Sequence, residues 1–409
     1  MDALQKLSLL GEYMNLEPAG EPQTAPSGTA PSSTASGTPP ACFLPQKAAK
    51  PGGRAPIPTD DRSIPITQVA LPNGQRMPLL KTLLTSACEK NCNYCAFRAG
   101  RNFRRATFSP DELGQVFMSL YRAGKVKGLF LSSGVAGGGV RTQDRLIAAA
   151  DILRHKLDFK GYIHLKIMPG AEFAQVERAM QLADRVSVNL EAPTTERLAR
   201  LAPQKTFIEE LLQPLRWVEK IRRTQGARAG WNGRWPSSTT QFVAGGAGER
   251  DLELLRTSEY LHTKLGLARV YYSGFSPVPD TPLENQESIA PWREHRLYQA
   301  DFLLRDYGFS TEELPFAPDG SLPLDSDPKL AWARSNMGGA PVEVNRADLH
   351  ELLRVPGIGP KGAQSILKTR RREPIKSLEG LRALGINADR AAPYVTFSGK
   401  HASYQMGLW

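Results

Sequence analysis

A chain of 409 residues with a hydrophobic share of 41% is long enough for two or three domains with a full core, and no apolar run approaches the length of a membrane span. Lys and Arg number 52 against 41 Asp and Glu, and the resulting formal charge of +11 suggests an acidic partner, most simply nucleic acid. Only four cysteines in so long a chain exclude a small disulfide-framed secreted domain.

The first residues, MDALQKLSLLGEYMNL, read as a short amphipathic helix carrying both charge signs. They lack the basic start, unbroken apolar stretch and cleavage site of a signal peptide. With reduced thiols this points to the cytoplasm. Residues 17 to 60 are rich in Pro, Ala, Ser, Thr and Gly. Such a segment cannot bury enough apolar surface to offset its ordering entropy and is expected to be a disordered linker, with Cys42 incidental to it. From 78 onward, apolar runs alternate with amphipathic stretches. The expected strands are 78–86, 128–134, 161–168, 185–191, 238–245 and 269–275. One of the intervening helices is capped by Ser109 with Pro110 at its first position. Six strand–helix alternations imply an α/β fold, a partial (β/α)6 barrel of parallel strands with a wide open side. Residues 291–308 read as a further helix. The expected domains are 1–60 (helix and linker), 61–310 (barrel), 311–340 (linker), 341–400 (a small all-α domain) and 401–409 (tail).

The segment TSACEKNCNYCAF carries Cys88, Cys92 and Cys95 in the spacing C-x3-C-x2-C. Three thiolates so spaced can hold three irons of a [4Fe–4S] cube and leave the fourth open to a substrate or cofactor. A structural zinc ion wants four ligands, and the nearest histidine is His155, so only a carboxylate could complete such a site locally. Cysteines that merely pack have no reason to crowd into one loop. In α/β barrels ligands gather at the C-terminal ends of the strands. There the sequence places Ser132, Ser133 and Gly134 after the second strand, and Gly245 in AGGAGE after the fifth, where glycine lets backbone approach a ligand. Asn189 and Glu191 alternate along the fourth, which sets both on one side. An interior Glu191 needs a ligand or a basic neighbour. Lys166 is the candidate, either as that neighbour or as a contact for a ligand carboxylate. Tyr271 and Tyr272 on the sixth strand are read either as core or as site.

Residues 343–371, EVNRADLHELLRVPGIGPKGAQSILKTRR, read as helix, tight hairpin, helix. Gly357 and Gly359 flank Ile358, and the glycines expose backbone N–H groups at the start of the next helix, a nest aimed at phosphate. Lys361, Lys368, Arg370, Arg371 and Arg372 extend the positive surface. The pattern matches the helix-hairpin-helix motif, which grips DNA backbone without reading sequence. Leu352, Leu353, Val355, Ile358, Ile366 and Leu367 are its expected core, and a degenerate second unit follows, with Ser377 as a cap.

From about Ile64 to Lys400 the chain resembles a bacterial family of radical S-adenosylmethionine (radical SAM) proteins with a C-terminal helix-hairpin-helix domain, assigned to DNA modification or repair. LLKTLLTSAC, GLFLSSGV, GYIHLKIMPGAE, DRVSVNLEAPT, LAPQK, RVYYSGFSPV and VEVNRADLHELLRVPGIG carry the resemblance. It implies a [4Fe–4S] cluster on Cys88, Cys92 and Cys95, with Tyr94 as the usual aromatic before the last cysteine. It also implies S-adenosylmethionine (SAM) contacts from Ser132, Ser133, Gly134, Lys166, Asn189, Glu191, Gly245 and Tyr272. The chemistry implied is reductive cleavage of SAM to a 5′-deoxyadenosyl radical, which abstracts hydrogen from the substrate. An electron donor such as flavodoxin or ferredoxin and a uracil-DNA-glycosylase-like repair partner would follow. With three of the four cysteines used, no second cluster is expected. The chain departs from the family at its start, where the Ala/Pro-rich stretch replaces a Cys-containing segment.

Three readings follow. The first is a radical SAM enzyme acting on DNA, its helix-hairpin-helix module contacting the substrate through Gly357, Ile358, Gly359, Lys361, Lys368, Arg370 and Arg371. The second exchanges DNA for tRNA or rRNA. The third is a non-catalytic iron–sulfur DNA-binding sensor, which would bind DNA and leave SAM intact.

Overall fold

A computed structural model of the chain describes residues 1–14, 64–70 and 76–401. The linker expected at 17–60, Cys42 and the residues after 401 lie outside the described residues. Two compact units divide the rest. The first holds 1–14, 64–70, 76–249 and 263–289, the second 250–262 and 290–401.

The first unit opens with α1 (Ala3–Met14), whose Lys6 Nζ reaches Glu112 at 2.6 Å. β1 (Ile66–Ala70) pairs antiparallel with β2 (Arg76–Leu83). The chain continues through α2 (Pro110–Arg122), β3 (Gly128–Ser132), α3 (Gly139–Asp151), β4 (Tyr162–Lys166), α4 (Phe173–Leu182) and β5 (Arg185–Ser187). Then come α5 (Thr195–Leu201), α6 (Gln213–Thr224), β6 (Ser237–Ala244) and β7 (Arg269–Gly274); α7 (Asp251–Leu265), between these two strands in sequence, falls mostly within the residues of the second unit. The seven strands form one sheet in chain order, with β2 to β7 parallel, a curled half-barrel. Each of the six expected strands is present. β1 was not expected: it is five residues long and follows directly on the biased N-terminal stretch. Ser109 caps α2 in a reciprocal capping box with Glu112, with Pro110 at the first helical position.

The register decides what each face carries. Leu80, Leu129 and Ile163 lie side by side, as do Leu131, Leu165 and Val186, and all are buried. These are the apolar positions that the crossover helices cover. On the opposite, concave face Lys81, Phe130, His164 and Arg185 form one row, and Lys166, Ser187, Thr239 and Arg269 the next. Hydrophobic and polar residues are thus sorted by strand alternation alone.

Arg154, 1% exposed in the helical turn Ile152–Lys156 that follows α3, is a buried cation of this unit. It donates to the carbonyls of Leu182, Phe159 and Gly161 and to Asp184 at 2.9 Å, while Trp231 covers its guanidinium at 3.9 Å.

The second unit contains α8 (Pro291–Asp306), α9 (Pro328–Asn336), α10 (Leu349–Arg354), α11 (Pro360–Thr369), α12 (Leu378–Ala383) and α13 (Ala388–Ala391). Three short strands accompany them: β8 (Val342–Glu343), β9 (Val395–Phe397) and β10 (Lys400–His401). Its core includes Leu352, Leu353, Val355, Ile358 and Ile366, with Leu367 partly buried against it. The strands were not expected, because two or three residues show no period-2 pattern.

Arg154→Met takes the buried cation from Asp184, which keeps only Ile163 N–H and the exposed Arg234, and leaves three carbonyls without their donor. It should lower the unfolding free energy by about 3–5 kcal/mol, read as a lower midpoint in urea unfolding. Arg234, which also reaches Asp184, is exposed, and Arg234→Met should change the midpoint little.

Candidate functional site

The cysteine loop follows β2 and is fastened along its length. Leu84 N–H donates to Ser132 O at 2.8 Å, Gly134 N–H to Thr85 O at 2.7 Å and Glu89 N–H to Val135 O at 2.8 Å. These tie the loop to the end of β3. On the other side Arg105 donates to the carbonyls of Ser86, Phe97 and Arg98. A Cβ added to Gly134 would lie 2.3 Å from Ala87 O. Only glycine permits this approach of β3 to the loop.

Cys88 and Cys95 are half-buried and Cys92 is buried, none of the three in a disulfide. Beside Cys92 lies Glu191, 5% exposed, which takes a hydrogen bond from Tyr94 and an ion pair from Lys205 Nζ at 3.0 Å. Lys205, not Lys166, is therefore the basic neighbour that a buried Glu191 needs. LAPQK was among the motifs of the resemblance, but its lysine sits past α5 with no periodicity to mark it as inward. Burial raises the Cys92 thiol above its ordinary range, with Lys205 opposing. Burial, and then the negative charge of Glu191, hold Tyr94 protonated.

Strand alternation fails at Glu191. Ser187 pairs with Thr239, yet Glu191 bridges Phe242, so β5 gains one residue on β6. Glu191 also has φ of 64°, a left-handed backbone rare for a non-glycine residue. The expectation that Asn189 and Glu191 share a face by simple alternation is thus corrected. Ser132 and Ser133 are buried at the end of β3. Lys166 is 8% exposed on the concave face, its ammonium 5.9 Å from the Phe130 ring. Gly245 has φ of 89°, and its N–H is engaged by Glu249. Tyr272 falls elsewhere: it pairs with Phe242 on the apolar face, is fully buried, and its ring centroid is 6.2 Å from that of Phe242. The reading of Tyr272 as a cofactor contact gives way to core packing.

The charged residues that β2 to β7 set on the concave face are all cations: Lys81, Lys166, Arg185 and Arg269. His164, with Nε2 2.9 Å from Ser187 Oγ, is kept neutral by burial, with Arg185 and Lys166 acting in the same sense. Thr239 Oγ1 is buried on the same face with no hydrogen-bond partner.

In the second unit, Gly357 has φ of 86° and its added Cβ would lie 2.3 Å from Asn387 O, so the hairpin requires glycine on two counts. Ile358 is 1% exposed, so its side chain anchors the hairpin and leaves only backbone for a ligand. Gly359 precedes α11 with no side-chain cap, leaving the first-turn N–H groups to water or an anion. Lys361, Lys368, Arg371 and Arg372 are exposed. Arg370 is not: it is half-buried and donates to Val344 O and Ala347 O at 2.9 and 2.6 Å, an internal clamp rather than a DNA contact. Lys329, absent from the sequence reading, is buried behind the hairpin and donates to Ile358 O at 2.6 Å. Burial pulls its amino group down to about 7; Asp327 opposes this, while Arg390 and Arg354 reinforce it.

Residues 82–227 match the radical SAM superfamily and residues 339–387 the helix-hairpin-helix motif. Among solved structures the chain is similar to methylornithine synthase (PylB), at 16% identity over 56% of this chain and 61% of that one, TM-score 0.45. It is similar to the FeFe-hydrogenase maturase HydG from Carboxydothermus hydrogenoformans, at 16% identity over 56% and 51%, TM-score 0.44. It is also similar to coproporphyrinogen III oxidase (HemN) from Escherichia coli, at 13% identity over 64% and 59%, TM-score 0.36. The chain thus spans between half and two thirds of these proteins. No curated protein matches it. Among the described residues no helix is long and apolar enough to cross a membrane. The radical SAM match implies a [4Fe–4S] cluster and SAM, and the donor set fits them. Three cysteines outside any disulfide share one fastened loop, glycine clears the space where β3 meets it, and an unsatisfied hydroxyl waits on the concave face.

Lys205→Met leaves Glu191 buried without its cation. It should cost about 3–5 kcal/mol in thermal unfolding and reduce the iron retained after anaerobic reconstitution, and adding Glu191→Gln should recover most of the stability. Lys329 gives a pH signature. Its folded value of about 7 lies below an unfolded value of about 10.4. Below pH 7 both states bind the proton and the burial penalty is complete; as pH rises from 7 towards 10.4 the folded state alone releases it. Wild-type stability should therefore rise relative to Lys329→Met by up to about 1.4 kcal/mol per pH unit in that window, measured by urea unfolding across the range.

Proposed function

We propose that this chain, with a radical SAM domain followed by a helix-hairpin-helix motif, is a radical SAM enzyme that acts on nucleic acid, DNA foremost. The observation that carries the reading is the cysteine loop of the first unit, three thiols on a loop locked to the end of β3, in one chain with an uncapped hairpin rimmed by Lys361, Lys368 and Arg371. Cys88, Cys92 and Cys95 would hold the cluster. Ser132, Ser133 and Gly134 would receive the methionine end of SAM, with Asn189, Gly245 and Lys166 as further contacts. When bound, cluster and SAM supply a reductively generated 5′-deoxyadenosyl radical that abstracts hydrogen.

The chain's own residues do the positioning. Lys205 and Tyr94 hold the carboxylate of Glu191 and keep it beside Cys92. The cationic concave face suits a phosphate-bearing substrate, and His164, neutral and bonded to Ser187, adds a polar contact without a further charge. The hairpin supports backbone binding through N–H groups and lysine, which positions nucleic acid and reads no sequence. A base inside a duplex is hidden from any barrel site, so the reading requires an extruded or already unpaired nucleotide. It also requires a one-electron donor such as flavodoxin or ferredoxin; the uracil-DNA-glycosylase-like partner rests on the resemblance alone.

Anaerobic reconstitution with iron and sulfide, followed by reduction with SAM, should yield 5′-deoxyadenosine, and Cys92→Ala should abolish it. DNA binding should weaken linearly in log–log against salt, with a slope of about −0.9 per phosphate contacted, and Lys361→Glu should flatten that slope. A formed cluster that leaves SAM intact, with DNA bound, would support the sensor instead. Preferential competition by structured RNA would move the substrate to RNA.

A further inference from the structure

The hairpin of the second unit does not stand alone on the surface. It forms one wall of an open pocket of about 1010 Å3, bordered by the end of α8, the start of α9 and the segment at Ile386. A lone backbone phosphate needs only a turn of exposed N–H groups. This volume stands at the top of the roughly 300–1,000 Å3 range of small-molecule sites, and the open side gives a strand access to it. The walls are chemically mixed. Phe302 and Tyr307 supply aromatic rings, Ile386 an apolar side, and Lys361 and Arg390 positive charge beside the buried amino group of Lys329, with Asp327 paired to Arg390. Tyr307 spans both parts. Its hydroxyl lies 3.2 Å from where a Cβ on Gly359 would stand, and the Lys329 ammonium lies 4.6 Å from its ring centroid. The Tyr307 hydroxyl therefore lies against Gly359, the residue that precedes α11.

We propose that this cavity receives one unpaired nucleotide of a nucleic-acid strand, its phosphate at the start of α11 and its base between Phe302, Tyr307 and Ile386. The inference rests on the nucleic-acid reading above and goes beyond backbone grip: the module selects strands with an unstacked base. A base paired in duplex has both faces covered and cannot enter, whereas an unpaired base stacks on aromatic side chains with little regard to its identity. Lys329 suits the phosphate end. Held near neutrality by burial, its amino group can take up a proton when an anion arrives.

The test uses the full-length protein and fluorescence anisotropy with three DNAs: a duplex, the same duplex with a one-nucleotide bulge, and that bulge with an abasic site. The bulge should bind tighter than the duplex by about tenfold or more, and the abasic bulge should lose that gain although its backbone is equally flexible. Tyr307→Leu and, separately, Phe302→Leu should remove the preference while leaving duplex affinity within about twofold. A 2-aminopurine in the bulge should be quenched on binding to wild type and not to Tyr307→Leu. Equal affinity for duplex and bulge, or an abasic bulge as tight as the intact one, overturns the pocket and leaves hairpin binding standing. Absence of any salt-sensitive DNA binding overturns both.

Discussion

The buried contact between Glu191 and Lys205 beside Cys92 is the constraint on which the first unit turns. A carboxylate 5% exposed is tolerated only with a cation and a hydrogen bond in place, and Lys205 and Tyr94 provide them. The backbone of Glu191 is bound as firmly as its side chain. Its N–H donates to Gln241 O at 3.0 Å and its carbonyl accepts from Val243 N–H at 2.8 Å, so β6 holds it in a left-handed conformation. One residue therefore connects the sheet to the cysteine loop: its backbone is held by β6 and its carboxylate by Tyr94 of the loop and by Lys205.

Two buried lysines show how a partner decides the chemistry of one residue type. Burial works against charge on both. At Lys205 the Cys92 sulfur in its thiolate form and the Glu191 carboxylate outweigh it and raise the ammonium above its ordinary value. At Lys329 the hydrogen-bonded partner is the neutral carbonyl of Ile358, Arg390 and Arg354 are near, and the value falls to about 7. The first lysine is a fixed counter-ion; the second is poised to gain a proton if an anion enters beside it.

Some features were legible because they depend on near neighbours. The spacing of Cys88, Cys92 and Cys95 lies within one loop. The strand–helix alternation is a run of local periods, and all six strands appear where those periods place them. The capping box of Ser109 and Glu112 spans three residues. Gly357 was readable because a tight hairpin demands positive φ whatever surrounds it. Where short pieces or long separations were involved, reading failed: β1 and β8 to β10 carry too few residues for a pattern, and Lys205 meets Glu191 only because the loop after α5 returns under the cysteines.

The sequence by itself determined the chemistry on offer: three thiols in cluster spacing, a parallel α/β sheet and a glycine hairpin beside lysines. Each is a local pattern enforced by spacing or by backbone sterics. Tertiary structure alone decided which side chains meet. It gave Glu191 to Lys205 rather than Lys166, turned Tyr272 into the apolar layer, and spent Arg370 on the carbonyls of Val344 and Ala347. It also built a cavity at the hairpin from α8 and α9, remote in sequence from Gly357. Those outcomes follow from strand register and from the satisfaction of buried polar groups, which bind residues far apart in the chain and leave no periodic mark upon it.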